Sequence, residues 1–129
     1  MQQCWRWLCR TQFYIVMVFF TYLSLTDSPS KTIPLFNDWL MHAVGYAIAA
    51  CSLTVAYPLM THSYRLGSLL VYSTLIEVLQ HFNPPRTFDW MDIVANGIGI
   101  LIGLMLITFA RRCALIENLL PTENVDYLR

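Results

Sequence analysis

LIEVLQHFNPPRTFDWMDIVAN, residues 75–96, decides how the whole chain is read. It begins inside one apolar run and ends inside the next. Pro84 and Pro85 remove two backbone donors and fix φ, so they break any helix that reaches them. The stretch is therefore the end of one helix, an NPPRTFDW turn and the start of another. Its apolar runs carry Glu77, Gln80, Asp92 and Asn96, and its turn carries Arg86. A carboxylate and an amide recur on both sides of the turn, which apolar helices accept only if those groups face one another.

Working outward, the rest of the chain is equally apolar. The 129 residues are 57% hydrophobic and 12% charged, against about 25% charged in ordinary soluble domains. Mean hydropathy is +0.50. A chain this short cannot bury so much apolar surface in one small core, so a bilayer is the better solvent. A formal net charge of zero gives no reason to expect a nucleic-acid partner. The four cysteines, Cys4, Cys9, Cys51 and Cys113, show neither CxxC pairing nor zinc-ligand spacing, and read as apolar or incidental.

Four apolar segments emerge, at Phe13–Leu25, Trp39–Met60, Leu66–Phe82 and Met91–Ala110. About 20 helical residues cross a hydrocarbon core of about 30 Å, with a working range near 17–25. The second and fourth fit, the third is slightly short, and the first fits if it starts near Trp7 and lets Arg10 snorkel. The basic start of the first segment also resembles a signal peptide. No A-x-A cleavage pattern follows it, so it reads as an uncleaved anchor. The expected fold is an all-α membrane protein, a bundle of four transmembrane helices with both termini cytoplasmic. Residues 1–12 would be a cytoplasmic segment, 13–110 the membrane domain and 111–129 a polar cytoplasmic tail.

Orientation follows the basic residues. With the N-terminus inside, Arg6, Arg10, Arg65, Arg111, Arg112 and Arg129 fall on the cytoplasmic side, and only Lys31 and Arg86 outside. Cys4, Cys9 and Cys113 then face the reducing side. Trp5, Trp7, Trp39 and Trp90 fall at span ends, as an aromatic belt requires. Residues 26–38 read as an external loop and 61–65 as a tight cytoplasmic turn.

On this topology every unusual polar group lands in the outer leaflet. Asp38, His42 and Tyr46 are spaced by four and share a helical face. Glu77 and Gln80 are spaced by three. Asp92 and Asn96 are spaced by four, and Gly99 and Gly103 continue their stripe. Three polar stripes turned from lipid would form one wet site, because a lone charge near mid-bilayer costs at least ~2.5–3.5 kcal/mol.

Each residue also has a plain structural reading. Glu77 would tie helices through His42 or Arg86, and Gln80 would bridge helices as amides do. His42 would be a hydrogen-bonded packing histidine. Asp92, with Asp89, would stabilise the start of the fourth helix. Arg86 would anchor at the interface, or receive a phosphate or carboxylate in its guanidinium fork. Gly99 and Gly103 form a small-xxx-small face for close helix approach, either to this chain or to a partner. Ser52, Ser68 and Ser73 have no clear histidine partner. No P-loop, GxSxG or HExxH occurs. One histidine with two carboxylates has metal-binding chemistry, but their spacing lends no specific support, so neither metal nor cofactor is expected.

At these residues the chain resembles the VanZ-like family over roughly residues 36–106. One family block is Asp-Lys-x-x-His followed by Tyr, matched by Asp38, His42 and Tyr46 in DWLMHAVGY. A second is E-x-x-Q-x-F-x-P-G-R, matched by Glu77, Gln80, Phe82, Pro84 and Arg86. A third is S-x-x-D-x-x-x-N-x-x-G-x-x-x-G, matched by Asp92, Asn96, Gly99 and Gly103. Trp39 stands where the family usually has Lys, Pro85 where it has Gly, and Asp89 where it has Ser. Without the Lys, anion binding at the outer rim rests more on Arg86.

The resemblance implies an integral inner-membrane protein of the bacterial envelope, in a setting of glycopeptide (teicoplanin) resistance or exopolysaccharide synthesis. The site would bind, and as an enzyme modify, an amphiphile such as a lipid-linked glycan or lipid phosphate. Glu77 would exchange the proton, tuned by His42 and Asp92. Arg86 would hold an anionic group, and Gln80 and Asn96 would orient the ligand beside Asp38 and Tyr46. The alternative is a non-catalytic accessory protein that docks on a polysaccharide or peptidoglycan machine through the Gly99/Gly103 face. Four spans without an inverted repeat offer little for alternating access.

Overall fold

The computed structural model describes residues 2–26, 38–82 and 89–113. It consists there of four helices and no strand: α1 (Gln2–Leu25), α2 (Asp38–Ala56), α3 (His62–His81) and α4 (Trp90–Arg112). The chain is all-helical, as expected. α1, α2 and α4 are each long and apolar enough to cross a membrane, α4 most clearly, with a mean hydropathy of 2.3 over its most apolar 18 residues. α3 is not among them, although it is 20 residues long. The expectation of four segments with spanning composition is corrected to three.

The reason lies in where α3 keeps its polar side chains. Arg65, Ser73, Glu77 and Gln80 are all buried in the bundle, while Val71, Leu75, Val78 and Leu79 are exposed. The other helices show the same inversion. Val94, Ile98, Leu101, Met105 and Phe109 of α4 are exposed, and Asn96 is buried. Apolar outside and polar inside is the distribution of a membrane protein, because lipid solvates the former and not the latter.

Helix ends follow local chemistry. α2 stops at Ala56, short of the expected Met60, because Pro58 has no N–H and disfavours helical geometry at the residue before it. Arg65 folds back over this end and donates Nη2 to the carbonyls of Tyr57 and Pro58, at 2.9 and 2.8 Å. α3 begins at His62, earlier than expected, with the Thr61 side chain accepting from the Tyr64 N–H. Residues 61–65 are thus mostly helix. α4 is capped by Asp89, whose Oδ1 accepts from the Met91 N–H at 2.9 Å, so Asp92 is not needed as the cap. α1 is continuous from Gln2 to Leu25.

α2 and α4 form the most extensive helix pair, and α1 and α3 flank them. Gly99 and Gly103 are responsible. A Cβ on Gly99 would lie 2.1 Å from the Ala43 carbonyl oxygen, and one on Gly103 would lie 2.4 Å from that of Ala47. Both glycines are buried. Their face is filled by α2 of the same chain, which removes it as a docking face for another protein. The core between the helices holds Phe13, Ala50, Leu53, Leu69, Ile100 and Leu104.

Charges are segregated along the bundle axis. Among the described residues, Arg6, Arg10, Arg65, Arg111 and Arg112 sit at the end formed by the starts of α1 and α3 and the end of α4. Asp38, Glu77, Asp89 and Asp92 sit at the opposite end. Trp5, Trp7, Trp39 and Trp90 are all exposed near helix termini.

Candidate functional site

The acidic end of the bundle gathers one titratable side chain from each of three helices. His42 comes from the second turn of α2, Glu77 from the last turns of α3, and Asp92 from the first turn of α4. His42 Nδ1 lies 4.0 Å from Glu77 Oε1, and Nε2 lies 3.7 Å from Asp92 Oδ2. The Glu77 side chain is 1% exposed, that of His42 12% and that of Asp92 16%.

Asn96 sets the imidazole. Its Oδ1 is 2.9 Å from His42 Nδ1, and its Nδ2 donates to Ser73 Oγ at 3.0 Å. An amide oxygen only accepts, so His42 Nδ1 carries the hydrogen in this contact. In the neutral ring Nε2 then holds the lone pair, on the side of Asp92. The Ser73–Asn96–His42 chain joins α3, α4 and α2. Ser73 was not expected here. The signal was present in sequence, since Ser73 lies four residues before Glu77 and shares its face.

Gln80, expected to orient a ligand, is instead engaged with α1. Its Nε2 donates to the Ser24 carbonyl at 2.7 Å, and the side chain is buried. One of the free carbonyls in the last turn of α1 is thereby satisfied. Further toward the arginine end, α1 is held to α3 by the hydroxyls of Thr21 and Tyr72, and to α2 by Ser52, which donates to Gln12.

Beside the cluster lies an open cleft of about 90 Å³. Its apolar wall includes Met17, Phe20 and Leu23 of α1 and Met41 of α2. Asp38, His42 and Tyr46, the three residues expected to share a face of α2, all line it. Tyr46 is packed against Tyr72 with ring centroids 6.5 Å apart. His42 thus belongs both to the polar cluster and to the cleft. Arg86 lies outside the described residues.

His42, Glu77 and Asp92 each offer one ligand atom, all within 4.8 Å of one another. The three donors are far apart along the chain, so their spacing in sequence lends a metal no specific support. Folding brings them together as one nitrogen and two carboxylate ligands.

Comparison with known families decides what the chain is. A family profile described as VanZ/LLP1 matches residues 7–111. The chain belongs to the VanZ/LLP1 family. The match takes in α2, α3, most of α1 and α4, and every residue of the cluster, and extends the resemblance at residues 36–106 into α1. No curated protein and no solved structure matches this VanZ/LLP1 chain significantly.

Proposed function

We propose that this VanZ/LLP1 membrane protein receives an amphiphilic molecule of the bacterial cell envelope, a lipid-linked glycan or a lipid phosphate. The observation that carries the reading is the sharing of His42 between an apolar cleft and a polar cluster. The wall of Met17, Phe20 and Leu23 suits an acyl or isoprenoid chain. The headgroup would meet His42, Asp38 and Tyr46, with Arg86 supplied by the connection between α3 and α4. Glu77 is the residue for proton exchange with the headgroup. It lies about 6 Å from the end of α3, four residues at 1.5 Å per residue, deep enough to be shielded from bulk water.

In this reading α3 crosses the inner membrane with the other three helices, its polar face covered by them. Both termini lie in the cytoplasm, because the arginine end would face inward and the acidic end outward. Cys4 and Cys113, both exposed and both at the arginine end, report on this directly. In intact cells neither should react with a membrane-impermeant maleimide, and both should react once the membrane is permeabilised. Labelling of either in intact cells overturns the orientation.

The ligand itself is tested by mass spectrometry of lipids retained by protein purified in mild detergent. One amphiphile with an anionic headgroup should be enriched over bulk phospholipid with wild type, and at least tenfold less with Phe20→Trp, which narrows the cleft. Incubation of that lipid with wild type and Glu77→Gln then separates binding from chemistry. A covalent change that requires Glu77 makes the site catalytic. An unchanged lipid leaves a binding protein. Retention of bulk phospholipid alone, equal in both variants, overturns the proposal. The accessory reading loses its docking surface, because Gly99 and Gly103 are already covered by α2.

A further inference from the structure

We propose that His42, Glu77 and Asp92 form a binding centre for a divalent transition-metal ion of the zinc or manganese class. The centre stands on the cluster alone. Only its use in holding a headgroup rests on the amphiphile reading above.

The first argument is donor chemistry. One imidazole nitrogen with two carboxylates is a borderline-to-hard set that suits Zn²⁺ or Mn²⁺ rather than a thiolate-seeking ion. The set is also well removed from water, unlike the exposed acidic groups common on surfaces, with Glu77 at 1% exposure. The second argument is spacing. His42 Nε2 and Asp92 Oδ2, 3.7 Å apart, are too far for a good hydrogen bond. Two ligands each about 2.0–2.2 Å from one ion stand roughly this far apart. The three ligand atoms lie within 4.8 Å of one another, and the Glu77 carboxylate, now 4.0 Å from His42 Nδ1, would move toward the Nε2 side to share the ion.

The third argument is the support behind the ligand. A metal-binding histidine almost always donates its other ring N–H to a neighbouring acceptor, which fixes both tautomer and ring orientation. His42 does so to Asn96, which is itself held by Ser73. The nitrogen left with a lone pair, Nε2, is the one on the Asp92 side. Asn96 is 1% exposed, so the relay is insulated from water. Three protein ligands leave coordination positions open. His42 also lines the cleft, so a phosphate or carboxylate headgroup has a route to the ion.

The test uses the full chain in mild detergent, stripped with a chelator, with no lipid added. Co²⁺ is titrated as an optical probe and Zn²⁺ as its competitor, and metal content after desalting is read by mass spectrometry. Wild type is expected to bind one ion per chain, with a visible Co²⁺ absorption band that Zn²⁺ removes. His42→Gln and Asp92→Asn should each weaken binding at least tenfold. Asn96→Ala should weaken it ~10–100-fold through the ring it positions. His81→Ala, outside the cluster, should bind as wild type does. Asp92→Asn lies in the first turn of α4 and keeps the fold testable where a deeper change does not. No stoichiometric ion in wild type overturns the centre. So does binding that survives both His42→Gln and Asp92→Asn. Each result is independent of which lipid, if any, fills the cleft.

Discussion

Gly99→Ala is expected to unfold at a markedly lower temperature than wild type in mild detergent, although alanine is the better helix former. Alanine in a helix interior gains about 1 kcal/mol over glycine. Here that gain is overwhelmed. The new Cβ would stand 2.1 Å from the Ala43 carbonyl oxygen and 2.8 Å from its Cα. These are backbone atoms of α2 and cannot rotate away as a side chain does. α2 and α4 must part, and their separation also sets the position of His42 relative to Asp92 and Asn96. Overpacking of this kind costs about 1–3 kcal/mol, occasionally more. The rigid neighbour and the length of the shared face place Gly99→Ala at the upper end. Gly103→Ala should behave alike, with contacts of 2.4 Å to Ala47 O and 2.9 Å to Ala50 Cβ.

Two other glycines supply the contrast. A Cβ on Gly97 meets only Leu70 Cδ2 at 3.7 Å, and one on Gly67 meets nothing within 4 Å. Gly97→Ala and Gly67→Ala should be neutral or stabilising by up to about 1 kcal/mol. The same chemical change on the same bundle should thus carry opposite signs. Thermal unfolding followed by near-ultraviolet circular dichroism measures all four. Equal behaviour of Gly97→Ala and Gly99→Ala would refute the close α2–α4 approach.

The fold was largely legible in sequence because lipid-facing helices announce themselves by composition. α1, α2 and α4 needed nothing more than length and apolarity. α3 was harder for a physical reason. Its buried face carries Arg65, Ser73, Glu77 and Gln80, which lowers its mean hydropathy while its outer face stays apolar. The stripe of Asp38, His42 and Tyr46 was readable from spacing, and all three do share the cleft. Pairings across helices were not readable. Nothing in the linear chain shows that Gln80 reaches the Ser24 carbonyl, or that Asn96 selects Ser73 and His42. Gly99 and Gly103 were legible as a close-approach face, but periodicity cannot say whether the approaching helix is in the same chain.

Asn96→Leu is expected to destabilise the bundle and to release His42 at the same time. The side chain sits where α2, α3 and α4 meet, at 1% exposure. Its amide is the acceptor for His42 Nδ1–H and the donor to Ser73 Oγ. Leucine has similar bulk and no polar atoms. The imidazole N–H would then lose its acceptor, with Glu77 Oε1 still 4.0 Å away, and an orphaned buried donor costs about 1–3 kcal/mol. Amide bridges between membrane helices are often worth less, about 0.6 kcal/mol on average, because the partners find substitutes. The larger value applies here, because His42 and Ser73 belong to different helices and Asn96 joins them. Asn96→Asp separates the two effects. A carboxylate still accepts from His42 Nδ1–H, and the Ser73 hydroxyl can turn to donate to it. Much of the stability should therefore return. Unfolding temperature and the exchange rate of the His42 ring proton, followed by NMR on protein labelled at histidine, should move together across wild type, Asn96→Asp and Asn96→Leu. A ring proton equally protected in all three would show that Asn96 only fills space, and that His42 takes its orientation from elsewhere in the cluster.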